Sequence, residues 1–129
     1  MRPESERYLA KARLTLAHAR VMLTVDLTED AGRAACMAGN RAAEALSFER
    51  SGNATKTHKG AHLARDEPSI DEGMRRSRSR TYDMKGIYDY ELGPDAAVPF
   101  EMAAVALEDA ERFVNCVAAI VRGDPSSVP

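Results

Sequence analysis

The 129-residue sequence has no tryptophan, only three phenylalanines and four tyrosines, and two cysteines. Two cysteines are too few for the disulfide scaffolds that hold small secreted proteins together. No run of about 18 apolar residues occurs, so the sequence predicts no membrane-spanning helix. The opening MRPESERYLA is charged and lacks the apolar core of a signal peptide. We therefore expect a cytoplasmic protein that does not associate with a membrane.

Several motifs of catalysis and nucleotide binding are also missing. The sequence contains neither of the glycine-rich phosphate-binding patterns, GxGxxG and GxxxxGKS/T, and no GxSxG nucleophile elbow. Cys36 and Cys116 fall beside apolar stripes, which predicts buried, reduced thiols. His58, His62 and Asp66 share one face of a predicted helix, but zinc sites usually have four ligands and no fourth is evident. We therefore expect no metal site and no cofactor.

Apolar residues recur at helical spacing through most of the chain. Residues 4–25, 29–50 and 99–122 each carry apolar side chains three and four positions apart, which is typical of an amphipathic helix. Residues 69–90 show the same spacing with a more polar stripe, and residues 57–66 predict a short helix. In the first of these segments the stripe consists of Leu9, Ala12, Leu16, Ala19 and Leu23.

Four long amphipathic helices with short connections predict an all-α fold, an antiparallel four-helix up-and-down bundle with an extra short helix. The bundle would occupy residues 1–123, and a disordered tail would follow at residues 124–129. Residues 31–45 are mostly alanine and glycine, so another helix could approach this surface closely. Because so small a surface buries little area per residue, we expect a second copy of the chain to complete the core of a homodimer.

Local signals predict how the helices end and pair. Thr28 is the expected N-cap of the second long helix, because its hydroxyl can accept a hydrogen bond from a first-turn N–H. The same helix is expected to end at Ser51-Gly52-Asn53, since these residues tolerate the left-handed conformation. Glu108 and Arg112 stand at i and i+4 of the last helix and are predicted to form an ion pair.

Charge is nearly balanced over the chain but uneven along it. Lysine plus arginine total 18 and aspartate plus glutamate total 20, for a net charge of -2, which disfavours a globally basic nucleic-acid-binding protein. Between residues 75 and 85, however, Lys85 and four arginines face only Asp83. This segment is either a solvated helix face or a docking surface for phosphates or an acidic partner. The four arginines, here named the basic stripe, are Arg75, Arg76, Arg78 and Arg80.

Three of the four tyrosines, Tyr82, Tyr88 and Tyr90, lie within nine residues, beside Lys85 and Asp89. Buried tyrosine hydroxyls need hydrogen-bond partners. The end of the predicted helix at 69–90 is therefore the most polar part of the expected bundle interior, and it is the best candidate for a site that the residues alone provide.

The sequence resembles the HEPN domains of prokaryotes, which are small helical bundles. The matching pieces are YLAKARLTLAHARVML, AGRAACMAGNRAAEAL, KTHKGAH, and YDMKGIYDYELG followed by EDAERFV, which together span most of residues 8–114 in order. The resemblance implies a dimer and a toxin–antitoxin-type pair with a small nucleotidyltransferase. Since this chain has no nucleotidyltransferase signature, such a partner would act in trans. Active members of the family are metal-independent ribonucleases with an Arg-x4–6-His motif.

That catalytic motif is not intact here. Where the resemblance places an arginine and a histidine or tyrosine, the sequence has Lys85 and Tyr90, with Asp89 between them. Metal-free RNA cleavage needs a base that is active near neutral pH and a fixed cation, whereas lysine and tyrosine titrate at about pH 10. Arg13 and His18 match Arg-x4-His, but they lie in the first helix and not at the family's position.

We therefore expect a HEPN-like partner protein of a toxin–antitoxin-type module that binds a nucleotidyltransferase partner or a nucleotide and is catalytically weak or inactive. One alternative is a ribonuclease that uses Lys85, Asp89 and Tyr90. Another is a helical adaptor without a nucleotide role. The residues expected to contact RNA, a nucleotide or the partner are the basic stripe together with Tyr82 and Tyr88.

Overall fold

The computed structural model describes residues 2–52 and 99–122, and this part of the chain is all-α. It contains three helices, α1 (Pro3–Thr24), α2 (Thr28–Ser51) and α3 (Phe100–Arg122). None of these helices is long and apolar enough to cross a membrane. The helices predicted at 57–66 and 69–90 and the tail predicted at 124–129 lie outside the described residues, so the four-helix count stays a prediction.

The apolar stripe predicted for α1 is confirmed. Leu9, Ala12, Leu16 and Ala19 are buried, and Leu23 is half-buried against the same core. Pro3 occupies the first turn, where its missing N–H leaves no hydrogen bond unmade. A three-residue turn then leads into α2, and within it the Leu27 N–H donates to the Met22 carbonyl at 2.9 Å. So short a connection makes α1 and α2 antiparallel neighbours.

The small residues of α2 are buried within the single chain, because α2 packs against both α1 and α3. Five of its alanines are fully buried, namely Ala31, Ala35, Ala38, Ala42 and Ala45, whereas Ala34 is half-buried. The expectation that a second copy of the chain must cover this surface is therefore wrong. Small side chains let α2 sit close to two helices of its own chain. The homodimer stays a prediction, but it does not follow from this surface.

The residues that are buried on α3 also match those that the helical spacing predicts. Phe113, Val114 and Val117 are fully buried, and Ile120 packs against the core while half-exposed. Cys36 and Cys116 are buried, as predicted.

Two local predictions about pairing and capping are wrong. Glu108 and Arg112 are both exposed and form no ion pair within residues 2–52 and 99–122; an exposed i,i+4 attraction is weak, and water competes for both side chains. Instead, Glu111 of α3 binds Arg20 of α1 at 2.6 Å. Thr28 is the first residue of α2 and not its N-cap, and its hydroxyl donates to the Asp26 carbonyl at 3.3 Å.

The predicted end of α2 is confirmed. Gly52 has a φ of 79°, in the left-handed region where a side chain is strained, and its N–H donates to the Phe48 carbonyl at 2.8 Å.

Candidate functional site

The residues that the sequence selects for a site lie outside the described ranges. They are the candidate catalytic residues Lys85, Asp89 and Tyr90, and the candidate binding residues Arg75, Arg76, Arg78, Arg80, Tyr82 and Tyr88. His58, His62 and Asp66 also lie there. Each of these assignments therefore stays a prediction.

An open groove runs between the exposed sides of α1 and α2. The part nearer the α1–α2 turn, here named the turn lobe, has a volume of about 380 Å³. The part nearer the start of α1, the terminal lobe, has a volume of about 330 Å³. The turn lobe is lined by Lys11, Leu14, Thr15, His18, Met22, Asp30, Arg33, Ala34 and Met37. The terminal lobe is lined by Glu4, Arg7, Tyr8, Lys11 and Arg41. Lys11 thus borders both lobes.

Two of the residues that line the turn lobe are large apolar side chains open to water. Leu14 on α1 is 52% exposed, and Met37 on α2 is 49% exposed. Val21 follows Leu14 by seven positions, which places it along the same side of α1, and it is 62% exposed. Val25, the residue after the end of α1, is 59% exposed. Exposed apolar side chains that lie together mark an interaction site more often than scattered single residues do.

Each arginine that lines the groove is paired with a carboxylate on its own helix. Arg7 lies 3.7 Å from Glu4. Arg33 binds Glu29 at 3.0 Å. The most buried of these contacts joins the Arg41 guanidinium to both oxygens of Glu44, at 2.9 and 3.1 Å, where the Glu44 side chain is only 6% exposed. These short-range pairs neutralise most of the positive charge around the groove.

Lys11 differs from the arginines. Its side chain is exposed, and it forms no ion pair with any residue in 2–52 or 99–122. Its neighbours along the groove wall at i+3 and i+7 are Leu14 and His18, both exposed. Lys11 therefore supplies a positive charge at the point where the two lobes meet, and the exposed Asp30 supplies a negative charge in the turn lobe.

Arg13 and His18, the pair that matches Arg-x4-His, do not converge. Successive residues of an α-helix are rotated by about 100°, so positions five apart lie about 140° apart around the axis. His18 lines the turn lobe, whereas Arg13 is exposed on α1 away from both lobes. Within α1 the two side chains therefore start from different sides of the helix.

A second set of contacts joins the start of α1 to the end of α2, at the end of the hairpin away from the turn. Glu49, in the last turn of α2, accepts a hydrogen bond of 2.9 Å from the backbone N–H of Arg2. This hydrogen bond holds the pKa of Glu49 below its ordinary value. The Arg2 guanidinium also lies 5.9 Å from the centre of the Phe48 ring, and Tyr8 stacks at a tilt on that ring with a centroid separation of 6.2 Å. These contacts hold the start of α1 against the end of α2 and so stabilise the hairpin.

Sequence reasoning missed the groove, although a signal for it was present. Leu14 and Met37 are large apolar residues that lie off the buried stripes of their helices. Residues 7, 11, 14 and 18 follow one another at spacings of four and three, which marks a second, exposed face of α1.

Comparison with known proteins identifies a similar fold but indicates no function. The chain matches no family model and no curated protein. Among solved structures it is similar to TT1696 from Thermus thermophilus, with 23% sequence identity and a TM-score of 0.75 over 91% of this chain and 98% of that one. At this level of identity the likeness shows that the two chains share a fold.

Proposed function

We propose that the chain is a HEPN-like partner protein of a toxin–antitoxin-type module, which binds a nucleotidyltransferase partner or a nucleotide and is catalytically weak or inactive. The observation that carries the proposal is the open groove of the α1–α2 hairpin. Its apolar floor at Leu14 and Met37 is half-exposed, and proteins bury such surfaces when a partner binds.

The positions of the HEPN-like segments support the family part of the proposal. YLAKARLTLAHARVML lies entirely within α1, AGRAACMAGNRAAEAL within α2, and EDAERFV within α3. Each piece of the resemblance that falls in the described residues thus occupies one helix, as is expected of a small helical bundle.

The chemistry of the candidate catalytic set supports binding over cleavage. A ribonuclease of this type needs a cation and a base on one phosphodiester. The set of Lys85, Asp89 and Tyr90 lacks a base that is active near neutral pH at its ordinary pKa. A homodimer belongs to the proposal as well, and it must use a surface other than the buried alanines of α2.

Co-expression with the product of an adjoining nucleotidyltransferase gene tests the proposal. We expect the two chains to elute together in size-exclusion chromatography, and Met37→Lys in the groove floor to weaken the complex. Arg13→Glu is the matched control, since it changes the charge of α1 outside the groove. Separate elution of the two chains, or a chain without such a neighbour, favours the helical adaptor.

A further inference from the structure

The terminal lobe is lined chiefly by side chains that donate hydrogen bonds. The described residues that border it are Glu4, Arg7, Tyr8, Lys11 and Arg41. Three of these five are cationic and Tyr8 carries a hydroxyl, so among them Glu4 alone can only accept hydrogen bonds. The volume of about 330 Å³ lies at the lower end of the range for small-molecule sites, about 300 to 1,000 Å³. A small anion with several acceptor oxygens matches this lining.

Arg41 is already oriented for such a ligand. Its Nη1 donates to both oxygens of Glu44, at 2.9 and 3.1 Å. The Glu44 side chain is only 6% exposed, whereas that of Arg41 is 27% exposed and lines the lobe, so the cation and not the carboxylate faces a ligand. Arg41 makes no other hydrogen bond with residues 2–52 or 99–122, which leaves the N–H groups of Nε and Nη2 available. A guanidinium binds phosphate through two parallel hydrogen bonds, and an oriented side chain loses less entropy when it does so.

The other donors of the lobe make no strong contact within the described part of the chain. Lys11 forms no ion pair there, and the Tyr8 hydroxyl forms no hydrogen bond there. Arg7 lies 3.7 Å from Glu4, too far for a hydrogen bond, and their side chains are 76% and 44% exposed. Because so exposed an ion pair contributes little free energy, Arg7 can turn toward an anion at low cost. Lys11 leaves the lobe with a net positive charge even when both carboxylate partners of the arginines are counted.

We infer that the terminal lobe binds the phosphate group of a small phosphorylated molecule, with Arg41 in a two-pronged contact and Lys11 and the Tyr8 hydroxyl as further donors. At neutral pH a phosphate monoester carries a charge of about -1.5 to -2 and three strong acceptor oxygens, which these donors complement. One phosphate group fits the groove better than a polynucleotide backbone does. The exposed Asp30 in the adjoining turn lobe would repel a second phosphate.

This inference goes beyond the proposed function and does not depend on it. The residues expected to bind RNA or a nucleotide are the basic stripe together with Tyr82 and Tyr88, and none of them lines the terminal lobe. The two proposals also fail separately. Phosphate binding is measured on the chain alone, whereas the proposed function is tested by co-elution with a nucleotidyltransferase.

Isothermal titration calorimetry of the full chain with ribose 5-phosphate, and with ribose as the uncharged probe, tests the inference. We expect saturable binding of ribose 5-phosphate at millimolar concentration and no binding of ribose. Arg41→Lys keeps a cation beside Glu44 but removes the guanidinium, so it should weaken binding by about tenfold. Lys11→Gln and Tyr8→Phe each remove one donor from a side chain that is not needed for folding, and each should weaken binding by about threefold to tenfold.

Arg13→Gln is the matched control for Lys11→Gln, since it removes one positive charge from α1 away from both lobes. It should change the affinity by less than about twofold. Circular dichroism spectra establish that each variant is folded.

Absence of ribose 5-phosphate binding, or equal binding of ribose, would overturn the inference. So would binding that the three lobe variants leave unchanged, or a loss in Arg13→Gln as large as that in Lys11→Gln. An oligouridylate that binds more tightly than ribose 5-phosphate and loses affinity in Lys11→Gln would also overturn it, because the groove would then bind a polynucleotide.

Discussion

The carboxylate of Glu49 accepts a hydrogen bond of 2.9 Å from the backbone N–H of Arg2, which joins residues 47 positions apart. Arg2 is the N-cap residue of α1, and its own side chain provides no cap hydrogen bond. The first N–H groups of a helix have no partner within the helix, and the helix dipole favours a negative charge there. An acid at the end of α2 therefore stabilises the start of α1 and ties the two ends of the hairpin together.

This contact predicts a pH-dependent contribution to stability. The pKa of Glu49 is lowered chiefly by the Arg2 hydrogen bond, so folding favours the charged carboxylate. Its contribution is present above the ordinary glutamate pKa of 4.5 and is lost as the pH falls through the lowered pKa. We expect Glu49→Gln to lower the free energy of unfolding by about 0.3 to 1 kcal/mol at neutral pH, toward the lower end because Glu49 is partly exposed.

Urea denaturation at neutral pH and at pH values below the lowered pKa measures this effect. The difference between wild type and Glu49→Gln should disappear in acid. Glu108→Gln, an exposed glutamate of α3 without an ion pair in the described residues, is the control and should be neutral at both pH values. An equal loss in the two variants, or a loss that persists in acid, contradicts the assignment.

The ion pair between Arg20 and Glu111 predicts a measurable coupling between α1 and α3. Both side chains are about half-exposed, at 48% and 43%, so a double-mutant cycle with Arg20→Ala and Glu111→Ala should give about 0.2 to 1 kcal/mol. The coupling should weaken in high salt, because solvent ions screen exposed charges. The same cycle for Glu108 and Arg112 should give no coupling, and a value as large as that of the first pair would show that the side chains pair differently in solution.

The buried small-residue face of α2 predicts sensitivity to added volume. Ala38 is fully buried between neighbouring helices, so Ala38→Leu should overpack the core and lower the free energy of unfolding by about 1 to 3 kcal/mol. Met37→Leu, at the next position and half-exposed, should change it by less than about 0.5 kcal/mol. Similar, small effects of both substitutions in denaturant titrations would mean that the face of α2 is not closely packed.

The basic stripe predicts salt-dependent ligand binding. If Arg75, Arg76, Arg78 and Arg80 dock phosphates, the affinity for RNA or for a nucleotide should fall steeply as salt rises, since bound cations are released from the phosphates. Reversal of Arg76 and Arg80 to glutamate should then abolish binding, which a filter or anisotropy assay can follow. Binding that survives the double reversal leaves these arginines as a solvated helix face.

The sequence predicts where the helices form, but it does not predict which helices pack against each other. Helical spacing identifies the buried sides of α1 and α3, because the apolar residues of each helix alone determine which side is buried. The alanines of α2 predict close approach but do not say which helix approaches; packing against α1 and α3 decides this. Likewise, Glu111 pairs with Arg20 across 91 positions, and only the packing of the helices brings these residues together.

The candidate site, too, can be predicted from the sequence only in part. Leu14 and Met37 could be identified as exposed apolar residues from the pattern, since both lie off the buried stripes. That they face one another across a groove, with Lys11 between two lobes, depends on the register of α1 against α2, which the turn and the Glu49–Arg2 contact set. The assignments at Lys85, Asp89 and Tyr90 rest on the HEPN resemblance and stay predictions.

Incubation of the purified chain with total RNA tests the central claim, binding without efficient cleavage, most directly. The assay should include Lys85→Ala and Tyr90→Phe, with circular dichroism to establish that both variants are folded. We predict no robust cleavage by the wild-type chain, because neither lysine nor tyrosine supplies an active base near neutral pH at its ordinary pKa. Efficient cleavage by the wild type that is abolished in both folded variants would contradict the account and identify the chain as a ribonuclease.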